Sequence, residues 1–213
     1  GSNQYRVRIL GFKHDTLAKD ETGYGDSTIT KAGISFEFVT TLGNAKMRDT
    51  GTNKGGWGAS NVQANLNSKT ASTDGSINLK NIEDVIGSNL IKKVKKNYID
   101  QDGSAYNSTS SKIKESEDYL WLLSCSEIWS DGAQYNGSSW VKTPGCYGYA
   151  GASEGNQYKY YASIENLTYA SGNPKVIKYS TSNSGDWCWL RSPNSNNNID
   201  FCGVSSGGNA IDD

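Results

Sequence analysis

One histidine and several acidic residues are the side chains whose chemistry could support catalysis. His14, the only histidine, stands beside Asp15 directly after a predicted strand. A His–Asp pair can belong to a nucleophilic site, but no Gly-x-Ser-x-Gly sequence accompanies it. A hydrogen-bonded turn is therefore the favoured interpretation of this pair.

Four acidic residues flank the apolar stretch YLWLL: Glu115, Glu117 and Asp118 precede it, and Glu127 follows it. Two carboxylates can hydrolyse a glycosidic bond when about 5–9 Å separates them across a cleft. Sequence spacing does not establish such a distance, so a solvated strand edge is favoured. A surface glycan-processing enzyme that uses Glu127 or His14 stays open as an alternative function.

Metal and cofactor sites have no signature in this sequence. Its four cysteines, Cys125, Cys146, Cys188 and Cys202, form no Cys-x-x-Cys pair, and no histidine stands at metal-ligand spacing from them. The stretches GDSTIT and GTNKGGWG do not fit a phosphate-binding loop. We therefore predict no metal, no cofactor and no enzymatic activity.

Length and charge predict a single domain over residues 1–213. The 21 basic and 22 acidic residues nearly cancel, so a nucleic-acid partner is not expected. No apolar run approaches the ~20 residues of a spanning helix, so this segment is not expected to insert into a membrane. Gly1 and Ser2 are interpreted as the remnant of an expression tag.

Residue periodicity predicts a strand pair and two helices in the first half of the chain. Residues 5–12 and 33–39 alternate apolar with polar side chains, as half-exposed strands do. A Gly-rich loop leads into a short helix within 55–67, with Ser60 as its N-cap. Apolar residues three and four positions apart over 79–98 predict the longest helix. A Gly-Ser pair is expected to bend this helix, and four lysines are expected to lie in its last turns.

The second half of the chain is predicted to hold strands separated by long loops. Residues 119–129 are a continuous apolar run, interpreted as a buried strand plus a turn. Residues 130–156 are expected to form a surface excursion, followed by a short aromatic helix or turn. Strands are predicted at 186–192 and 201–205, and the fold class is α+β.

The C-terminal region after Pro193 is rich in Asn, Ser, Gly and Asp, the adaptable contact residues of recognition loops. A frayed terminus is the simplest alternative. Phe201, Cys202 and Val204 interrupt the polar run with the spacing of a strand, which favours an ordered surface.

Several segments resemble a gut-bacterial domain of unknown function that is related to C-type lectins and formylglycine-generating enzymes. They are RVRILGFKHDT, KAGISFEF, GGWGAS, DYLWLLSCSEIW, EGNQYKYYA and WCWLRSPNSNNN, so the resemblance spans nearly the whole chain. It implies a C-type-lectin-like fold with two helices, small antiparallel sheets and long irregular loops.

The C-terminal region is similar to the variable region of proteins that diversity-generating retroelements mutate at adenines. The resemblance implies an invariant frame at Ser192, Pro193, Phe201, Cys202, Val204, Ser206, Gly208 and Ala210. It implies ligand-binding residues between them at Asn194, Asn196, Asn197, Asn198, Ile199, Asp200, Gly203, Ser205, Gly207, Asn209, Ile211, Asp212 and Asp213. Ile, Asp, Ser and Gly are each reachable from an Asn codon by changing its adenines. We expect these intervening side chains to face solvent.

The resemblance implies a receptor-like or adhesin-like binding protein on the bacterial surface, outside the cell or on a phage particle. Its ligand would be a protein or a glycan, and its oligomeric state stays open. The Cys-pair oxidase chemistry of formylglycine-generating enzymes does not carry over, because Cys188 and Cys202 are too far apart in sequence. Calcium-dependent sugar binding does not carry over either, because the Glu-Pro-Asn and Trp-Asn-Asp signatures are absent. A purely structural surface domain is the remaining alternative.

Two departures from the family pattern concern the end of the chain. Members usually continue into a final strand beside the N-terminal one, and the sequence lacks it, so an exposed strand edge is expected. Members often have Trp where this chain has Cys188. Cys188 and Cys202 are at positions where the side chains of the two predicted strands point to the same side. Either a disulfide or two buried thiols would fit this arrangement.

Overall fold

The computed structural model is a mixed fold of short helices and small antiparallel sheets, which confirms the predicted α+β class at this level. It describes residues 5–23, 25–101, 113–129, 134–135, 140–141, 154–194 and 198–212. Within that part of the chain, none of the helices combines the length and apolar character needed to cross a membrane.

The strands pair as β1 with β2, β3 with β4, β5 with β6, β7 with β8, and β9, β10 and β11 in one sheet. Their bounds are β1 Val7–Phe12, β2 Ile34–Phe38, β3 Val94–Ile99, β4 Ile113–Asp118, β5 Gln134–Tyr135, β6 Trp140–Val141, β7 Lys178–Tyr179, β8 Gly185–Asp186, β9 Cys188–Pro193, β10 Phe201–Val204 and β11 Ala210–Asp212. The helices are α1 Asn61–Leu66, α2 Leu79–Ile86, α3 Cys125–Ile128 and α4 Lys159–Ala162.

Helix α1 forms where the sequence predicts it. The side chain of Ser60 accepts a hydrogen bond from the N–H of Gln63 at 3.1 Å, as an N-cap residue does. Trp57, in the 3-10 turn before the cap, and Val62 are buried together in the smaller of two apolar clusters. The predicted cap and the predicted apolar face are both confirmed.

The predicted helix over 79–98 is wrong in its second half. Helix α2 ends at Ile86, because Gly87 adopts a φ of 94° that closes the helix. Residues 94–99 then form β3, in which Lys95 and Glu115 make an ion pair at 2.9 Å across to β4. Lys95 and Lys96 therefore belong to a strand ladder, and Lys92 and Lys93 precede it, so none of the four ends a helix.

The apolar run at 119–129 contains a helix and no strand. Ser124 and Glu127 cap α3 reciprocally: the Ser124 hydroxyl accepts from the Glu127 N–H, and the Glu127 carboxylate accepts from the Ser124 N–H. The residues before Ser124 run irregularly through the core. Residues 123–129 are buried and 119–122 are half-buried, and a continuous apolar run of this kind does not distinguish strand from helix.

The sheet of β1 and β2 buries its polar face, whereas an amphipathic sheet usually buries its apolar face. Its polar side chains are buried, and Glu37 accepts hydrogen bonds from Arg8, Lys178 and the Tyr161 hydroxyl. Burial raises the pKa of Glu37, but the positive charges of Lys178 and Arg8 outweigh it and leave that pKa below the ordinary value. Most apolar side chains of the two strands are exposed, whereas Leu10 of β1 is buried and Phe38 of β2 is half-buried.

The larger apolar cluster lies where α3 and α4 pack against the sheet of β9, β10 and β11. Its buried members include Ile128, Tyr158, Tyr161, Leu190, Cys202, Val204 and Ala210. This packing fixes the position of the C-terminal sheet relative to the rest of the domain.

Candidate ligand-binding site

The antiparallel sheet of β9, β10 and β11 carries the C-terminal region. Phe201 lies opposite Pro193 and Val204 opposite Cys188, while Val204 also faces Ala210 of β11. The sequence predicts β9 and β10 but not β11. Strand β10 is therefore interior to the sheet, and β11 has one partner strand among the described residues.

Burial distinguishes the frame residues of the predicted variable region. The structure buries Ser192, Pro193, Phe201, Cys202, Val204, Gly208 and Ala210. Ser206 is exposed in the turn between β10 and β11, so its predicted core position is wrong. The other seven side chains are constrained by packing, which restricts what can replace them.

The predicted ligand-binding residues lie in three places and do not form one surface. Residues 198–200 form part of the loop between β9 and β10, and Ser205, Gly207 and Asn209 lie in the turn between β10 and β11. Gly203 and Ile211 are paired across β10 and β11 and line a separate groove.

Three of these residues do not face solvent. Asn194, Gly203 and Ser205 are buried, so the prediction that they are exposed is wrong. Asn196, Asn197 and Asp213 lie outside the described residues, and Asp212 is placed only as a member of β11. Asn198, Ile199 and Gly207 are exposed, and Asp200, Asn209 and Ile211 are half-buried. Ligand binding by these residues stays a prediction.

Asn53 holds the two ends of the loop between β9 and β10. Its side-chain amide donates hydrogen bonds to the carbonyl oxygens of Asn194 and Asp200, each at 3.0 Å. Its backbone N–H donates to the carbonyl of Asn198 at 2.9 Å, and the N–H of Asn194 donates to Asp200 O at 2.8 Å. We call this arrangement the Asn53 clamp. These bonds fix residues 194, 198 and 200 through their backbone atoms.

A small cavity of about 210 Å³ opens beside Ile199. Trp189, Phe201 and Met47 supply apolar walls, and the segment 45–52 supplies the polar rim. Ile199 is 52 % exposed, a large fraction for an apolar side chain. An apolar cavity bordered by hydrogen-bonding groups is the usual composition of a ligand site.

The segment 45–52 is held beside this cavity by three contacts. The indole N–H of Trp189 donates to the carbonyl of Ala45 at 2.9 Å, and the N–H of Asn61 donates to the carbonyl of Met47 at 2.8 Å. The Arg48 guanidinium donates to the carbonyl of Ala59. The rim is therefore anchored to both β9 and α1, and Lys46 remains exposed beside it.

Gly208 is required in the turn between β10 and β11. Its φ is 83°, and a Cβ atom there would lie 2.3 Å from the carbonyl oxygen of Asn173. Gly207, one position earlier, is exposed, and its nearest contact to a Cβ would be 3.5 Å away. The frame residue is thus fixed by geometry, whereas its predicted variable neighbour has room for a side chain.

Replacing Gly208 with alanine is expected to lower the free energy of unfolding by at least about 2 kcal/mol, because of the left-handed backbone and the overlap with Asn173. Gly207→Ala is the matched control and should change it by no more than about 0.5 kcal/mol. Urea denaturation of the two variants measures the difference. Equal stabilities would contradict the geometry assigned to this turn.

Arg191 is a buried cation between β9 and three other parts of the chain. Its guanidinium donates to the carbonyls of Asn97 at 2.9 Å and Leu122 at 2.8 Å, and also to the carbonyl of Glu154. It forms an ion pair with Glu127 at 2.6 Å. Arg191 therefore joins β9 to β3, to the segment before α3 and to the segment before α4.

Glu127, the residue of the enzymatic alternative, bridges two buried cations. One carboxylate oxygen lies 2.6 Å from Arg191, and the other lies 2.5 Å from Lys96 Nζ. Burial raises its pKa, but the charges of Arg191 and Lys96 outweigh this and lower the pKa below the ordinary value. A general acid at neutral pH needs a raised pKa and access to substrate. Glu127 has neither property in this structure.

Asp15 and Lys96 extend the same network towards the N-terminus. Lys96 Nζ lies 2.8 Å from Asp15, and the Tyr158 hydroxyl donates to the Asp15 carboxylate at 2.8 Å. The ring of His14 stacks on Tyr158 with 4.1 Å between centroids. The predicted turn at His14 and Asp15 is thus built around a buried carboxylate, and the prediction that Lys96 is solvated is wrong.

Cys188 does not form a disulfide with Cys202. Cys188 is a thiol, and its partner across the sheet is Val204. Burial raises the pKa of the Cys188 thiol to about 11. A disulfide and two thiols were the alternatives for Cys188 and Cys202, and the structure has no disulfide between them. Among the described residues, no group of three or more His, Cys, Asp or Glu side chains is arranged to hold a metal ion.

The sequence analysis missed Asn53 and the segment 45–52. Asn53 acts on residues 141 positions later in the chain, and nothing in its own neighbourhood marks that contact. The only local signal is the Gly-rich stretch GTNKGGWG, which allows a tight path around Asn53.

A family model described as a domain of unknown function (DUF6273) matches residues 25–213. No curated protein and no solved structure matches the chain. The matched residues include β2 to β11 and omit β1, which nevertheless pairs with β2.

Proposed function

We propose that this chain, which belongs to the DUF6273 family, is a ligand-binding module whose contact surface is the loop between β9 and β10 and the adjoining segment 45–52. The observation that carries the proposal is the exposed Ile199, held by the Asn53 clamp beside a small cavity. Exposed contact residues that are held in place bind at a lower entropic cost than mobile ones.

The proposal includes a C-type-lectin-like fold and diversification by a retroelement. Burial of most frame residues and exposure of Asn198 and Ile199 support it, because mutable positions must be free of packing constraints. The Asn53 clamp supports it further, since it binds main-chain atoms that every substitution preserves. The module would act on a bacterial surface or on a phage particle and take a protein or glycan ligand.

Alanine at Asn198, Ile199 and Asp200 together is expected to weaken binding at least about tenfold to a ligand found by screening glycan arrays and displayed proteins. The control carries alanine at the exposed residues Lys159, Glu165 and Thr181, outside the site. Both variants should unfold at similar temperatures. Retained affinity in the first variant would show that the ligand binds elsewhere.

Sequences of the same gene from sister isolates test the diversification separately. We expect changes at adenine-derived positions within residues 194–213, with a reverse-transcriptase gene nearby. Substitutions spread evenly over the gene would contradict retroelement diversification without touching the binding surface itself.

A further inference from the structure

The sheet of β1 and β2 exposes a continuous apolar face. Its cross-strand pairs are Val7 with Phe38, Ile9 with Phe36 and Phe12 with Ile34. Phe36 is 53 % exposed and Phe12 is 63 % exposed. Contiguous apolar surfaces of this kind on a folded domain mark interaction sites.

Part of this face is one wall of a groove of about 1410 Å³. Ile34 and Phe36 line it from β2, Val85 from α2, and Trp187 and Ile211 from the C-terminal sheet. The groove exceeds the roughly 300–1,000 Å³ of small-molecule sites. Its length along β2 and the walls on three elements suit a polypeptide segment better than a metabolite.

The outer edge of β2 contributes hydrogen-bonding groups to this groove. The N–H of Val39 donates to the carbonyl of Arg6, so Arg8 and Glu37 form the next hydrogen-bonded pair of the ladder. The N–H and C=O groups of Phe36 and Phe38 then point away from β1. Within the described part of the chain, β1 is the only strand that pairs with β2.

Charge beside β2 favours uncharged side chains in that part of the groove. Glu37 and Lys178 both border it, but they form a buried ion pair with each other. Arg8 binds the second oxygen of the same carboxylate. Lys31, Asp74, Lys92 and Asp186 also line the groove. Beside Glu37 and Lys178, a bound segment would meet apolar walls and a neutralised pair, which favours uncharged side chains at that place.

We propose that the groove binds an extended strand of a partner protein, which adds to the outer edge of β2 and places alternate apolar side chains against Phe36, Val85 and Trp187. Strand addition satisfies the backbone groups of Phe36 and Phe38, which a lipid chain cannot do. A second copy of the domain fits less well, since a concave groove is not complementary to itself. A strand of about six residues matches the length of the groove edge.

The groove shares Ala45 and Trp189 with the cavity beside Ile199, but Phe36, Val85 and Trp187 line only the groove, so each proposal can fail alone. The probes are acetylated, amidated eight-residue peptides of the form Lys-Thr-X-Thr-X-Thr-X-Lys, with X as valine, leucine or phenylalanine. Tryptophan fluorescence reports binding, because Trp187 lines the groove and is 57 % exposed. Isothermal titration calorimetry gives the dissociation constants.

We expect at least one peptide to bind, and its analogue with N-methylated backbone amides to bind at least tenfold more weakly. Phe36→Thr should weaken binding at least tenfold. Phe12→Thr, on the same face but not lining the groove, is the matched control and should change affinity by less than about threefold. Ile199→Ser should leave peptide binding unchanged, which separates this result from the proposed function.

Three outcomes would overturn the inference. Binding of none of the peptides at millimolar concentration would exclude strand addition. Equal affinity for the N-methylated analogue would identify an apolar pocket without backbone pairing. A dimer that forms in solution and dissociates in Phe36→Thr would assign the groove to a second copy of this chain.

Discussion

Replacing Arg191 with methionine is expected to lower the free energy of unfolding by about 3–5 kcal/mol, a large part of the stability of a domain this size. The substitution leaves the Glu127 carboxylate with one cation and removes the donor from the carbonyls of Asn97, Leu122 and Glu154. Buried acceptors without donors are costly in the protein interior. Chemical denaturation, together with soluble yield, measures the loss.

Arg6→Met is the matched control, because Arg6 is exposed and its guanidinium hydrogen-bonds to Asn183 at the surface. It should change stability by less than about 1 kcal/mol. A comparable change in both variants would mean that the contacts of Arg191 do not stabilise the domain. Arg191→Lys should also be strongly destabilising, since one ammonium group cannot reach all four acceptors in the fixed geometry of a guanidinium.

Acidification is expected to destabilise the protein steeply below about pH 4.5. Asp15, Glu37 and Glu127 all have pKa values below their ordinary values of 3.8, 4.5 and 4.5. Burial opposes this in each case, and the cations Lys96, Lys178 and Arg191 outweigh it. A carboxylate with a lowered folded pKa contributes stability above its unfolded pKa and loses it as the pH falls through the folded pKa.

Glu154 has the opposite effect on the pH dependence of stability, because burial raises its pKa. Its contribution is present at low pH and is lost as the pH rises through the folded value. Stability curves from pH 2 to 7 should nevertheless fall on the acid side, since three lowered carboxylates oppose one raised carboxylate. Glu37→Gln should flatten that fall. A free energy of unfolding that stays constant between pH 5 and 2.5 would contradict the assigned charge states.

Local signals in the sequence account for the parts of the fold that were predicted. Ser60 caps α1 through a contact only three residues long, and β9 and β10 follow from apolar runs bounded by turn residues. The periodicity over 79–98 was misleading because Gly87 ends α2 and the next apolar positions are buried by pairing with β4.

Alternation in β1 and β2 identified two faces but not which one is buried. The answer depends on Lys178 and Tyr161, which reach Glu37 from 141 and 124 residues away. The candidate site shows the same limit, because the family resemblance implied a role for Ile199 but indicated neither Asn53 nor the segment 45–52. Contacts between distant segments decide both cases, and a single sequence does not contain them explicitly.

The Asn53 clamp binds the chain at atoms that do not depend on residue type. Its bonds to Asn194 and Asp200 use carbonyl oxygens, which every amino acid carries, so these two bonds do not depend on the side chain at either anchor. Asp200, which is half-buried, is consequently less constrained than Asn194, whose side chain is buried and must also pack.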